Sequence, residues 1–229
     1  MQSELPLVVS RITPTILLWL VFILVSSIHV TAAFDSVQVR TVSIKKARGI
    51  STGQSVRIAG TVTAQSGAFA SSISSGFALQ DASAGIYVVD ADHSFKLGDR
   101  VEITGTRGEE YGQSTIILES AKKLTGSSMV MAGLVRSGDV GEAQEGILVR
   151  IEGYVTRTEG DPPYGHKVFI DDSTGEIQIF VNESTGLVDN ARDWKARDFV
   201  SVIGVVGQYE ESYEIMPRIL SDFTLRAAE

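Results

Sequence analysis

The residue types able to do chemistry in this chain are few and scattered. Cysteine is absent, and the three histidines stand far apart at 29, 93 and 166. A Cys nucleophile, a disulfide framework and a thiolate metal site are therefore excluded, and a multi-His metal site has too few ligands. Carboxylates cluster at Asp171-Asp172, at Glu109-Glu110, and at Glu210-Glu211 with Glu214. Calcium takes about six to eight oxygens, usually from a loop of set spacing, and none of these clusters has it. Hydrolysis by two carboxyls needs them to face each other across a cleft, whereas adjacent Asp171 and Asp172 point to opposite faces of a strand. The patterns G-x-x-x-x-G-K-[ST] and H-E-x-x-H do not occur. Asn182-Glu183-Ser184 fits N-x-[ST], which matters only in a eukaryotic secretory pathway. The expectation is no enzyme, no metal and no cofactor, which leaves binding as the chemistry to look for.

The elements that would position a binding site are written twice. The chain has 229 residues, 43% of them hydrophobic and 21% charged, enough apolar content for a core. Val56-Arg57-Ile58-Ala59-Gly60-Thr61-Val62-Thr63 matches Val149-Arg150-Ile151-Glu152-Gly153-Tyr154-Val155-Thr156. Phe77–Asp81 matches Val168–Asp172, and Phe95–Gly105 matches Trp194–Gly204. The blocks keep their order at an offset of about ninety to a hundred residues, as a tandem duplication would. Val56, Ile58 and Val62 alternate with Arg57, Ala59 and Thr61, the period of a half-buried strand. Gly60 and Gly153 interrupt that strand at equivalent places and predict a bulge or bend. FALQD and GIYVV around Ala82-Ser83-Ala84 predict a hairpin, as do VFIDD and GEIQIFV around Ser173-Thr174. Fourth and fifth strands follow at Arg100–Gly105 and Ser114–Ser120, and at Phe199–Gly204 and Glu214–Leu220. Short helices are expected over Val42–Arg48 and Leu187–Lys195. Met129-Val130-Met131 is too apolar for a free linker and should pack on a barrel.

GQSVRIAGTVT, FALQDASAGIYVVD and FKLGDRVEITGTRGEE resemble strand one, the strand two–three hairpin and strand four of the OB-fold. SGDVGEAQEGILVRIEGYVT resembles the approach to an OB domain in exported bacterial proteins, some of which carry nuclease domains; this chain is expected to lack a catalytic domain. The resemblance spans both copies and implies an all-β protein of two tandem five-stranded OB-fold barrels. The implied division is a leader over 1–33, a first OB domain over 34–126 and a second over 127–229. It further implies a binding module, often for oligonucleotides or oligosaccharides, whose ligand face is the outside of strands two and three with the strand one–two and four–five loops beside it.

Alternation points Phe77, Leu79, Ile86 and Val88 inward in copy one and Ala78, Gln80, Tyr87 and Val89 outward. In copy two Val168, Ile170, Ile177 and Ile179 point inward, and Phe169, Asp171, Gln178 and Phe180 outward. Tyr154 on strand one is outward too. Phe169, Phe180 and Tyr154 are candidate stacking residues for bases or sugars, or else pack against the other barrel. Arg107 and Tyr111 are expected in the strand four–five loop, and Phe69 in a Ser- and Gly-rich strand one–two loop that either clamps a ligand or is plain surface. With Arg57, Gln80 and Tyr87, these complete the candidate ligand-binding set: Arg57, Gln80, Tyr87, Arg107, Tyr111, Tyr154, Phe169 and Phe180.

Charge separates the copies. Residues 34–126 hold 10 basic and 9 acidic residues, and residues 127–229 hold 9 basic and 18 acidic. Affinity for nucleic acid comes largely from neutralising phosphates, so copy one is the better candidate for single-stranded nucleic acid. The alternative is a protein-interaction or cell-envelope module that engages a partner through acidic copy two. A small phosphodiesterase is a distant third. Residues Ile12–Val30 contain no Asp, Glu, Lys or Arg, follow Arg11 and precede Thr31-Ala32-Ala33. This order describes a secretory signal peptide, although the run nears the roughly 20 residues that span a bilayer. A secreted or periplasmic protein is expected, with a membrane-anchored one as the alternative if the leader stays uncleaved.

Overall fold

A computed structural model describes residues 40–226. The leader and the apolar helix expected with it lie outside the described residues. The first barrel is built from β2 (Ser55–Ala64), β3 (Gly76–Gln80), β4 (Gly85–Val89), β5 (Asp99–Glu110) and β6 (Gln113–Ser127). Ahead of it stand β1 (Thr41–Val42), parallel to β2, and the short helix α1 (Ile44–Arg48). β2 pairs with β3, β3 with β4, β4 in parallel with β6, β6 with β5, and β5 back with β2, which closes the barrel. This is the strand order of a Greek-key OB-fold.

The same order of pairings recurs in the second half. Its strands are β8 (Leu148–Asp161), β9 (Gly165–Asp171), β10 (Glu176–Asn182), β11 (Phe199–Tyr209) and β12 (Ser212–Met216). β8 pairs with β9, β9 with β10, β10 in parallel with β12, β12 with β11, and β11 with β8. The edge strand β7 (Gly133–Leu134) lies parallel to β8. The helix α2 (Val188–Arg192) falls between β10 and β11. The fifth strand expected over Glu214–Leu220 is instead two pieces. β12 stops before Pro217, which lacks the N–H a ladder needs, and β13 (Phe223–Arg226) resumes against the far end of β11.

The inward sets read from alternation form the barrel cores. Phe77, Leu79, Ile86 and Val88 are buried in the first, with Ile44 and Ala47 of α1 beside them. Val168, Ile170, Ile177 and Ile179 are buried in the second, with Val188, Ala191 and Trp194 from the α2 region. Ser43 caps α1 by accepting from the Lys46 N–H, and the Asp81 carboxylate accepts from the Ile44 N–H at 2.9 Å. Asp81 therefore holds both its own hairpin turn and the start of α1.

Of the bulge or bend expected at Gly60 and Gly153, the bulge does not fall on the glycines themselves. The register shifts fall two residues later, at Val62–Ala64 and Val155–Arg157. The glycines mark where strand one leaves strand four for strand two: Gly60 faces Val101 while Thr61 already faces Gln80. A Cβ on Gly60 would lie 2.7 Å from the Gln80 carbonyl oxygen, so close approach requires the glycine.

A third apolar cluster joins the barrels. Ala64, Ala68, Phe69, Ala78 and Tyr87 of the first half are buried against Leu148, Phe180, Val205 and Met216 of the second. Polar contacts surround it. Arg48 pairs with Glu142 at 2.6 Å and with buried Glu145 at 3.0 Å. The Ser114 N–H donates to Glu145 at 2.8 Å, and the Leu148 N–H donates to the Gln80 side-chain oxygen at 2.9 Å. Arg218, in the insert that splits the fifth strand, is held by Asp222 and donates to the Thr63 carbonyl at 2.6 Å. The linker contributes Val130 and Ala132 to this cluster, while Met129 and Met131 are exposed, so only part of that apolar run packs as expected.

Candidate ligand cleft between the barrels

The loop expected to be a mobile clamp or plain surface is a strap pinned to the second barrel. Phe69 is fully buried in the joint. Asn182 donates to the Phe69 carbonyl at 3.2 Å and to Ser72 at 2.5 Å, and it bonds with Ser71 as well. Asn182 itself is fully buried, so the N-x-[ST] match at Asn182 offers no accessible acceptor. Burying Phe69 contributes about 1.5–3 kcal/mol by area, to which the Asn182 bonds add in holding the strap.

The strap forms one wall of a cavity of about 450 Å³. Ser72 and Ile73 come from the β2–β3 loop and Tyr111 from the β5–β6 turn. From the second barrel come Asp161 and Tyr164 at the β8–β9 loop, Lys167, Gln178 and Phe180 on β9 and β10, and Tyr209, Ser212 and Glu214 around the β11–β12 turn. The strand one–two and four–five loops of both barrels thus converge on one cleft. Its floor is the outer face of strands two, three and five of the second barrel.

The tips are tied together. The Tyr111 and Tyr209 rings stack with centroids 4.9 Å apart and planes 30° apart. The Glu210 N–H donates to the Tyr111 carbonyl at 2.6 Å. Tyr111 and Glu210 both adopt positive φ, 50° and 52°, a conformation that costs a non-glycine residue about 1 kcal/mol or more. Tyr111, Tyr164 and Tyr209 keep 50%, 50% and 44% of their surface exposed.

Deeper in, Lys167 pairs with Asp161 at 2.8 Å. That bond raises the Lys167 pKa, first through the hydrogen bond to Asp161 and against the cost of desolvation. Gln178 donates to Glu214 at 2.7 Å. Glu214 is half-buried on the cleft floor. Burial pushes its carboxyl up to about 7, with Asp161 adding to the rise and Gln178 and Lys167 opposing it. A carboxyl raised toward neutrality, beside an amide and an ammonium in a cavity that three tyrosines also line, can both donate and accept hydrogen bonds.

Of the candidate residues read from sequence, Tyr111 and Phe180 reach this cleft. Phe180 is nonetheless mostly spent in the joint, at 4% exposure. The outward placement of Tyr87 is corrected: its ring is buried against the second barrel and its hydroxyl donates to the Ser74 carbonyl at 2.9 Å. Gln80 likewise spends its side-chain oxygen on Leu148. Arg107 is not in a loop but on β5, buried, donating to Ser114 Oγ at 2.7 Å and to the Thr115 carbonyl at 3.3 Å. Burial, with Arg48 nearby, lowers its pKa. Arg57 lies on the outer face of the first barrel and donates to Thr104 at 3.0 Å. Tyr154 is exposed on another face of the second barrel, edge-on to Phe199 at 5.3 Å. Phe169 carries the Arg157 guanidinium 3.2 Å above its ring.

Sequence reasoning missed Asp161, Tyr164, Lys167 and Tyr209. The usable signals were Gln178, already read as outward, and Glu214 beside Glu210-Glu211. Asp171 and Asp172 are occupied as turn ligands. Asp171 accepts from Ser173 and Gly175, and Asp172 from Ser137 and Thr174. The Thr174 hydroxyl above all holds the Asp172 pKa down to about 2. Gly49-Ile50-Ser51-Thr52-Gly53 has the G-x-S-x-G spacing of a nucleophile elbow. It runs from helix α1 to strand β2, the reverse of the strand-to-helix turn that an elbow needs.

No family model matches the chain, and no curated protein matches it. Several solved structures are similar to part of it. One is the S. pombe Stn1–Ten1 complex, at 14% identity and a TM-score of 0.30, covering 36% of this chain and 58% of that chain. A second is the OBody AM3L09 bound to hen egg-white lysozyme, at 16% identity and a TM-score of 0.36, covering 42% and 95%. A third is asparaginyl-tRNA synthetase from Pyrococcus horikoshii complexed with asparaginyl-adenylate, at 22% identity and a TM-score of 0.36, covering 43% and 23%.

Proposed function

We propose that this chain is an exported, non-enzymatic binding protein that holds a segment of a partner protein in the cleft between its barrels. The observation that carries the reading is the convergence of both barrels' strand one–two and four–five loops on one cavity. Those loops flank the ligand face of OB barrels, and about 450 Å³ is within the usual range for a binding pocket. Phosphodiester chains suit the cleft poorly. The cation in its lining, Lys167, is already paired with Asp161, and Glu214 adds a second carboxyl. Export is supported by the leader read over 1–33, and N-terminal sequencing of exported material tests it: a start near Ala33 or Phe34 is expected, and an intact Met1 on membranes overturns cleavage.

A second reading, single-stranded nucleic acid on the first barrel, is favoured by one observation. The register brings Arg57, Arg100 and Lys122 to one outer face of β2, β5 and β6, around Glu102. This replaces the face of strands two and three, where Ala78 and Tyr87 are covered.

Backbone amide NMR of the mature protein decides between the sites. The probes are a basic peptide, a neutral oligosaccharide and a short single-stranded oligonucleotide. The cleft reading expects shifts at Tyr111, Tyr164, Lys167 and Tyr209 with the peptide, and the same shifts with the oligosaccharide or oligonucleotide alone overturn a protein partner. Shifts confined to Arg57, Arg100 and Lys122 with the oligonucleotide overturn it in favour of the second reading.

A further inference from the structure

We infer that the cleft takes a primary ammonium group, the side chain of a lysine on a basic partner segment, seated against Glu214 among the three tyrosines. The inference rests on the cleft reading above and specifies its ligand. Three features of the lining point to a cation. Aromatic faces attract cations through the ring quadrupole, and Tyr111, Tyr164 and Tyr209 all line the cavity with about half their surface free. Glu214 is hydrogen-bonded to an amide rather than an ammonium or guanidinium: Gln178 takes one position on a carboxylate that has room for about four. The neighbouring ammonium, Lys167, is bonded to Asp161 at 2.8 Å and acts on Glu214 as a nearby charge, so an incoming cation meets a carboxylate that no cation among the described residues bonds directly.

Charge over a longer range agrees. Residues 127–229 carry 18 acidic against 9 basic residues, and Glu210 and Glu211 stand on the turn that borders the cleft. A field of one sign steers a ligand of the other toward such an opening. A neutral sugar would use the tyrosines equally well but would gain nothing from this field, and a phosphodiester would be repelled by it.

The chemistry sets a pH dependence. Asp161 and Lys167 act on Glu214 electrostatically, and Tyr111, Tyr164 and Tyr209 are the other titratable groups lining the cavity with it. An ammonium binds the ionised carboxylate, so it must displace whatever proton Glu214 holds, and affinity rises with pH until Glu214 is ionised in the free protein. A lysine ammonium stays charged throughout that range.

The test uses tri-lysine amide and its Nε-acetylated counterpart, followed by amide NMR at pH 5.5 and pH 8. Expected are cleft shifts with tri-lysine at pH 8, affinity about tenfold weaker at pH 5.5, and no saturation with the acetylated peptide. Glu214→Gln should weaken tri-lysine binding at pH 8 about tenfold or more and abolish the pH dependence; a spectrum otherwise unchanged shows that it folds. Tyr209→Leu, which leaves every carboxylate in place, should weaken binding about threefold to tenfold. Equal binding of the acetylated peptide, or tri-lysine binding indifferent to Glu214→Gln, overturns the ammonium inference and leaves the cleft reading standing. Cleft shifts with the oligosaccharide but none with either peptide overturn the partner-segment reading together with the ammonium inference. No cleft shifts with any probe overturn both.

Discussion

The backbones of Gly85 and Gly146 touch: a Cβ on Gly85 would fall 1.9 Å from the Gly146 carbonyl oxygen. Gly85 opens β4 of the first barrel, and Gly146 precedes β8 of the second. The barrels therefore meet main chain to main chain beside the Arg48–Glu145 pair, and the cleft geometry depends on that closeness. Gly85→Ala should force the barrels apart and cost about 1–3 kcal/mol, as other overpacking substitutions do. Urea unfolding would read this as a lower midpoint. An unchanged midpoint would mean that the joint gives way freely.

Tyr87 gives a second test of the joint. The sequence places it outward among the candidate ligand-binding residues, but its ring is part of the cluster between the barrels and its hydroxyl serves Ser74. Tyr87→Ala is expected to destabilise the protein by about 3–5 kcal/mol through the cavity it leaves. Tyr87→Phe, which loses only the hydrogen bond, should cost about 0.5–1.5 kcal/mol. Thermal or urea unfolding of both variants checks the ratio. Unaltered stability in Tyr87→Ala would place this ring at a free surface after all.

Why the repeat was legible and the joint was not follows from what alternation encodes. In FALQD and GIYVV it separates the inside of a barrel from the outside, and Phe77, Leu79, Ile86 and Val88 obey it. It does not say whether the outside meets water or a second barrel. The trace of the joint was present in composition. β4 reads Gly-Ile-Tyr-Val-Val, apolar on both faces, the mark of a strand covered on both sides, and Gly85 through Val88 are buried. β10 shows less: Gln178 is outward and half-buried, while Phe180 two residues on is in the joint. Gly85 had an adequate local explanation as a turn residue, which hid the long-range one. The cleft was illegible for the same reason, since its walls come from segments about a hundred residues apart.

Stability should depend on pH through Glu214. Burial raises this carboxyl from an ordinary value of 4.5 to about 7. Between those values the folded state holds a proton that the unfolded state has released, so stability falls as pH rises across that window. Glu145, raised mainly by burial against the opposing pull of Arg48, acts in the same direction. Asp172, held down to about 2, contributes in the opposite direction and only at more acid pH. Glu214→Gln removes one share of the loss. Relative to the native protein it should be more stable at pH 8 than at pH 5. Urea midpoints at the two values check this, and an equal difference at both would show that Glu214 titrates normally.

The outer face of the first barrel supplies the last prediction. Arg57 faces Thr104, Arg100 faces Thr61, and Lys122 faces Glu102 across neighbouring strands. Three cations around one carboxylate form a modest positive face on a half of the chain whose charges nearly balance. If a single strand lies there, its contacts are to phosphates, and binding must weaken steeply with salt. Arg100→Ala should then lower the slope of log affinity against log salt by about one unit, without changing preference among sequences. Tyr87→Phe and Arg107→Lys, both buried, should leave that slope alone. The measurement is a fluorescence titration of the mature protein with short single strands at two salt concentrations. Binding that ignores salt, or a slope unmoved by Arg100→Ala, would remove nucleic acid from this face and leave the acidic cleft as the binding surface of the molecule.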